Sequence, residues 1–172
     1  VTEFPLYLDI DLNQECSYKC PHCIIGHPKE VGKYYEGKNL NFEDFKIIVD
    51  QGAVYNCPSL SPQGNNEPFL IKDLHKYIYY AHKKNFIDIM LNTNATLLSE
   101  SRARSMLKSG ITRIRFSLDA VTKETYEKVR LGAKYDVTMK NIETFLKIKK
   151  EEKYDLPVVG VNFVKQRVNE NE

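Results

Sequence analysis

Three cysteines fall within eight residues, in the run Glu15-Cys16-Ser17-Tyr18-Lys19-Cys20-Pro21-His22-Cys23. Thiolates are soft anionic ligands, and three of them spaced CxxxCxxC on one short loop can grip a soft metal centre. Two chemistries fit. Iron–sulfur clusters are held by cysteine thiolates, and three ligands on a four-iron cluster leave one iron open to another molecule. A structural zinc site closes with four ligands, and His22 or His27 is near enough in sequence to be the fourth. An even cysteine count also suits disulfides, but in short secreted chains. The crowding of Cys16, Cys20 and Cys23 points to metal instead. Cys57 lies apart and reads as a small buried thiol.

The elements that must position this loop alternate, strand then helix. Residues 6–12 place Leu6, Leu8, Ile10 and Leu12 on one face and Tyr7, Asp9 and Asp11 on the other, the period of a strand. The cysteine run follows at once, and then a long loop over 24–40. Asn41 caps a helix carrying Phe42, Phe45, Ile48 and Val49. A short strand over 57–61 precedes a helix with Leu70, Leu74, Tyr77, Ile78 and Ala81. A third strand covers 86–93. Ser99 caps a helix with Ala103, Met106 and Leu107, closed near Gly110. A fourth strand covers 111–118. Thr122 opens a short helix, and Met139, Ile142, Phe145 and Leu146 mark a longer one ending near Lys153. A fifth strand covers 157–164.

Alternating strands and helices imply a parallel sheet, doubly wound or part of a barrel. One face of the strands is repeatedly polar: Asp9, Asp11 and Asn13; Asn92 and Asn94; Arg113, Arg115, Ser117 and Asp119; Asn162. Strands buried on both faces read as continuous apolar runs. One polar face and one helix-covered face fit a partial barrel with a wet interior, and this is the fold expected. The 24–40 loop and the polar face are the candidate substrate contacts.

The chain has 172 residues, one domain's worth, with a net charge of +2. So small an excess does not imply nucleic acid or an anionic membrane as partner. No apolar run approaches the roughly 18 residues of a membrane helix. The chain starts at Val1 without a secretion leader and reads as a segment of something longer.

Further landmarks follow the cysteines in order. Gln63-Gly64-Asn65-Asn66-Glu67-Pro68-Phe69-Leu70 resembles a GGEPLL motif, and Asn92-Thr93-Asn94-Ala95-Thr96-Leu97-Leu98 resembles TNGTLL. Ser117-Leu118-Asp119-Ala120 resembles SLDG, and Tyr126-Glu127-Lys128-Val129-Arg130 resembles Y-x-x-(I/V)-R. With CxxxCxxC after the first strand, this ordered set resembles the radical S-adenosylmethionine (radical SAM) superfamily over essentially the whole chain, and members with SPASM or twitch extensions in particular.

The resemblance implies a partial (β/α)6 TIM-like barrel, here with about five β/α units, as one core domain over 1–172. It implies a 4Fe-4S cluster on Cys16, Cys20 and Cys23, with S-adenosylmethionine on the open iron. His22 would pack near the adenine, and Val168 against it. Asn65, Asn66 and Glu67 would meet the methionine ammonium, with Asn94 on the same cofactor. Ser117 and Asp119 would reach the ribose, and Arg130 would face the carboxylate. The implied reaction is reductive cleavage to a 5′-deoxyadenosyl radical that takes hydrogen from a small-molecule or peptide substrate. A one-electron donor such as a flavodoxin or ferredoxin and a reducing cytoplasm are implied with it.

Three residues depart from the pattern. Asn65 and Asn66 replace a glycine pair, and asparagine is the side chain best tolerated at positive φ. Ala95 replaces a glycine, at about 1 kcal/mol if that position needs φ > 0. Two rival classes remain. One is a zinc- or cofactor-binding module using the cysteine loop as a clip. The other is an ordinary methyltransferase, which would carry a glycine-rich loop after its first strand, and none is present.

Overall fold

The computed structural model describes residues 2–26 and 39–172. Five strands, β1 (Tyr7–Asp9), β2 (Ser59–Ser61), β3 (Asp88–Thr93), β4 (Arg113–Ser117) and β5 (Val158–Asn162), form one sheet. Between and around them lie α1 (Phe42–Val54), α2 (Leu74–Lys83), α3 (Glu100–Leu107), α4 (Lys123–Val129) and α5 (Tyr135–Glu151). Short 3-10 turns stand at Ile24–Gly26 and Pro68–Leu70.

All neighbouring strands are parallel and run in sequence order, β1-β2-β3-β4-β5. A doubly wound sheet reverses its strand order at a switch point. This sheet does not, so it is an arc of a (β/α) barrel, as expected from its two unlike faces. Leu60, Ile89, Leu91, Ile114 and Phe116 point from the sheet into a core with Phe45, Val49, Ile78, Ala81, Met106 and Phe145 from the helices. Phe116 and Phe145 meet edge to face at 5.7 Å, tying β4 to α5. The opposite face of β3 and β4 carries Asp88, Met90, Asn92, Arg113, Arg115 and Ser117, none of them buried.

Helix starts follow local chemistry. Asn41 accepts from the Asp44 amide at 2.9 Å, and Thr122 accepts from the Thr125 amide, each satisfying an orphan donor of the first turn. Ser99 occupies the cap position of α3, but its hydroxyl meets Ser101 Oγ instead of a backbone amide. Cys57 is buried, as expected.

Several elements differ from the sequence reading. β1 pairs only over Tyr7–Asp9, although the Ile10 amide still reaches Ser61 O at 2.9 Å. Leu6 therefore lies outside the ladder, exposed, while Ile10 and Leu12 enter the core beyond its end. Leu70 sits in the 3-10 turn that Pro68 opens, not in α2, and faces outward. The buried stripe of α5 is Thr138, Ile142, Phe145 and Ile148, so Leu146 is exposed and Met139 only half-buried. Neither Asn65 nor Asn66 has positive φ, so the glycine pair is not replaced for its left-handed freedom. Ala95 does take φ +60°, as the glycine pattern requires. His27 and most of the 24–40 loop lie outside the described residues.

Two predictions test this frame. Gly110 has φ +86°, and a Cβ there would overlap the His82 ring. Gly110→Ala is expected to cost about 1–2 kcal/mol in urea unfolding for the backbone alone, plus an overlap cost. His82→Ala introduced with it should remove the overlap part and leave the backbone part. Second, Arg113 grips Asp88 with two bonds, Nε to Oδ1 at 2.7 Å and Nη2 to Oδ2 at 2.5 Å, fastening β4 to β3. Hydrogen bonding from Arg113 holds the Asp88 carboxyl below the usual range. Both side chains are about one-third exposed, so solvent screening limits the pair to about 1 kcal/mol or less. A depressed carboxyl stabilises the fold above its ordinary pKa and ceases to as pH falls through the folded one. Asp88→Asn should therefore lower stability at pH 7, with the gap narrowing once pH drops below about 4.

Candidate active site

The C-terminal ends of the strands surround a cavity of about 540 Å³. The loop leaving β1 brings Cys16, Cys20, His22 and Cys23 to one wall. The ends of β2 and β3 bring Gln63, Gly64, Asn65, Asn66, Glu67, Asn92, Thr93 and Asn94. The ends of β4 and β5 add Ser117, Asn162 and Val164, and α4 ends on Arg130.

Glu67 organises the first side. It is only 2% exposed. Its Oε1 accepts from Thr93 Oγ1 at 2.7 Å and the Phe69 amide at 3.1 Å, and Oε2 accepts from the Asn94 amide at 2.8 Å. Burial nevertheless pushes its carboxyl above the usual range, against those three donors and Arg130. Its backbone joins the next loop: the Glu67 amide donates to Glu15 O at 2.9 Å, and Asn13 Nδ2 donates to Glu67 O at 3.2 Å. Asn66 Nδ2 donates to Asn13 O at 2.6 Å, while Asn66 Oδ1 is buried without a hydrogen bond among the described residues. Gly64 lets the Asp11 carboxylate lie directly on the backbone, where a Cβ would collide with it.

The turn after β3 is fastened from inside. Asn94 Oδ1 accepts from the Thr96 amide at 3.0 Å, and Asn141 Nδ2 of α5 donates to the carbonyls of Ala95 and Thr96, both at 2.9 Å. These bonds hold the left-handed Ala95 in place. Asn94 Nδ2 then points back to the cysteine loop, at 3.0 Å from Ser17 Oγ and 3.9 Å from Cys16 Sγ.

On the other side, Arg130 Nη2 lies 2.7 Å from Asp119 Oδ2. Asp119 is fully buried: its Oδ1 accepts from the Val164 amide at 2.9 Å, and His22 Nε2 lies 3.5 Å from Oδ2. Arg130 Nε has no hydrogen-bond partner among the described residues. Burial and Arg130 hold the His22 imidazole below its ordinary range against the pull of Asp119, so the ring is neutral at pH 7.

The cysteines fit a metal centre chemically. All four are free thiols. Cys16 Sγ accepts from the Tyr18 amide at 3.4 Å. Burial pushes the Cys20 thiol up to about 11, with Arg130 opposing and Cys16 and Cys23 adding to the rise. Burial likewise raises Cys16. Thiols close enough to disfavour one another's ionisation gain from a shared cation. Among the described residues no three His, Cys, Asp or Glu side chains converge as a single metal ion would need.

Of the residues singled out from sequence, Cys16, Cys20, Cys23, His22, Asn65, Asn66, Glu67, Asn94, Ser117 and Arg130 share this cavity. Asp119 stands behind it: its Oδ1 accepts from the Val164 amide, and its Oδ2, ion-paired with Arg130, makes no hydrogen bond among the described residues. Val168 is 40% exposed in a turn outside it, and Val164 takes a place on the wall instead. Asn92 and Asn162 were named from sequence only as members of the polar strand face, and Gln63 only as the first residue of the motif after β2. Gln63 Oε1 accepts from the Asn92 amide at 2.5 Å, and Asn162 Nδ2 donates to Asn92 Oδ1 at 2.9 Å. For Asn92 and Asn162, alternation on the polar strand face was the signal; Gln63 lies beyond the end of β2.

Comparison with known proteins identifies the family. The chain is 28% identical over 143 residues to a GTP 3′,8-cyclase of Clostridium botulinum strain Hall, covering 83% of this chain and 44% of that protein. A GTP 3′,8-cyclase of Aliarcobacter butzleri is 30% identical over 164 residues, covering 91% and 48%. The chain thus spans less than half the length of these curated relatives. Among solved structures, Streptococcus suis SuiB bound to its precursor peptide SuiA superposes with a TM-score of 0.74 at 22% identity, covering 95% of this chain and 34% of that one. The family model of the radical SAM superfamily matches residues 11–169. With that match across nearly the whole chain, the chain belongs to the radical SAM superfamily.

Proposed function

We propose that residues 1–172 are the core domain of a radical SAM enzyme. The observation that carries this is the single cavity joining Cys16, Cys20 and Cys23 to Glu67, Asn66, Ser117 and Arg130. In this reading a 4Fe-4S cluster on the three thiolates, with S-adenosylmethionine, supplies reductive cleavage of the cofactor and radical abstraction of substrate hydrogen. The chain's own residues bind and orient. Glu67 and Asn66 offer acceptor oxygens to an ammonium, since Asn66 Oδ1 is unpartnered among the described residues. Arg130 offers its Nε–H to a carboxylate while Asp119 holds the guanidinium in place. Ser117 and Asn94 supply hydroxyl and amide contacts, and His22 and Val164 apolar surface. Asp119 acts through Arg130 and His22 in this reading rather than on a ribose.

Substrate and partners are proposed at the level the relatives support. The curated relatives are named for GTP, and SuiB was solved with a precursor peptide, so a small molecule or a peptide suits the cavity. The likeness to SuiB supports a longer protein of the SPASM or twitch kind. Electron balance calls for a one-electron donor such as a flavodoxin or ferredoxin. Four unpaired thiols suit a reducing compartment such as the cytoplasm, and no described helix is long and apolar enough to cross a membrane.

Anaerobic reconstitution with iron and sulfide tests the reading. The reduced protein should give a 4Fe-4S paramagnetic signal that changes when S-adenosylmethionine is added. Cys16→Ala, Cys20→Ala and Cys23→Ala should each keep native circular dichroism and lose most of the bound iron. Stoichiometric zinc without any cluster would instead favour the non-catalytic binding module. Glu67→Gln should keep the cluster but weaken S-adenosylmethionine binding by about tenfold or more, the worth of one hydrogen bond to a charged group. An unchanged affinity in that variant would remove Glu67 from the cofactor site.

A further inference from the structure

The three cysteines of the loop are not surrounded alike. Two nitrogen donors face Cys16 Sγ, the Tyr18 amide at 3.4 Å and Asn94 Nδ2 at 3.9 Å. Among the described residues, the sulfurs of Cys20 and Cys23 have no such donor. The Tyr18 contact is a turn of the cysteine loop itself. Asn94 comes instead from the end of β3, 78 residues further along the chain, so its meeting with Cys16 is made by the fold.

The Asn94 side chain has one orientation available. It is only 4% exposed, and its backbone amide is fastened to Glu67 Oε2 at 2.8 Å. Its Oδ1 accepts from the Thr96 amide at 3.0 Å, a place that the NH2 end of the group cannot fill. The amide therefore cannot turn over, and Nδ2 is the end that faces the loop. One of its two hydrogens serves Ser17 Oγ at 3.0 Å, which leaves the other for Cys16. A separation of 3.9 Å is long for a neutral thiol. A thiolate draws its donor closer, because hydrogen bonds to charged acceptors are shorter and stronger. Cysteine that ligates a metal is a thiolate. Adding an electron to an iron–sulfur centre places further negative charge on its sulfurs, and a donor aimed at one of them favours the reduced form.

We propose that Asn94, beyond any contact with S-adenosylmethionine, sets how readily the cluster is reduced, by donating from Nδ2 to Cys16 Sγ. The proposal deepens the radical SAM reading and rests on it for the identity of the centre. The electron is the one supplied by the one-electron donor that the reading already requires, and the contact itself forms and breaks no covalent bond. A more stable reduced form takes up its electron more easily and passes it on less forcefully. This one amide thus sets the balance between loading the electron and spending it on cofactor cleavage.

A redox titration of the anaerobically reconstituted protein, without S-adenosylmethionine and followed by paramagnetic resonance, reads this directly. Asn94→Ala should lower the potential, disfavouring reduction about threefold or more, and Asn94→Asp about tenfold or more. Tenfold in a one-electron equilibrium is about 59 mV. The sign is decisive. Water admitted into the space left by the side chain would solvate the added charge and move the potential up, whereas a lost donor moves it down. Asn162→Ala removes an amide that lines the same cavity and bonds Asn92 rather than a thiol, and should change the equilibrium less than twofold. The wild type supplies a readout that needs no substitution. With heavy nitrogen confined to the side-chain amides of asparagine, the reduced cluster should show a nitrogen hyperfine coupling, and Asn94→Ala should lose it. The proposal is overturned if the wild type lacks that coupling, if Asn94→Ala leaves the potential unchanged or raises it, or if Asn162→Ala shifts it equally. A wild-type protein that never builds a cluster overturns the radical reading and this proposal together. A cluster that forms but shows no coupling and no downward shift overturns this proposal alone.

Discussion

A buried carboxylate holds the reacting end of this barrel together. Moving an ionised carboxylate out of water is very costly unless donors replace the lost hydration. Glu67 is supplied with such donors by β3 and by the turn its own proline opens. That requirement fixes the loop after β2 against the end of β3. The same residue's amide and carbonyl then bind Glu15 and Asn13 on the loop after β1. Three successive strand ends are locked into one unit, and the cysteines stand on one of them.

The opposite wall is built on the same principle with a charge pair. Asp119 and Arg130 are both buried, and Asp119 also captures the amide of Val164. Asn169 completes the corner by donating to Asp119 O at 2.6 Å and Val164 O at 2.9 Å. Removing one member of such a pair strands an uncompensated charge, which costs far more than the pair itself contributes. Rigid walls on both sides leave the floor between them, the polar face of β3 and β4, as the part exposed to solvent.

Much of this was legible in the chain. The strict alternation of Ile89, Leu91, Ile114 and Phe116 with Asn92, Arg113 and Arg115 announced a two-faced sheet, and the structure has it. Asn41 and Thr122 announced their helices because a side-chain cap is a local event. Less legible were features decided by distant partners. Asp119 lies on the polar face by parity, yet Arg130 and the Val164 amide claim it. The chain after β5 folds back onto that carboxylate, which brings Val164 rather than Val168 to the cavity. Thr138 displaces Met139 from the α5 stripe because its hydroxyl meets those of Tyr18 and Tyr126. Periodicity sees hydrophobicity and cannot see such a meeting.

Tyr18 sits between the first two cysteines and is itself buried, its hydroxyl shared between Thr96 and Thr138. The Lys19 amide, next along, donates to Leu131 O at 2.9 Å. The segment between Cys16 and Cys20 is therefore moored to α5 and to the α4–α5 connection by contacts that involve no thiol. Its order comes from the barrel rather than from whatever the cysteines hold. Thiols carried on a backbone ordered in this way would lose little further freedom on taking up a metal centre. A centre held there would still stabilise the folded chain by mass action, but the loop's order would not depend on it, unlike zinc fingers that are unfolded until metal binds.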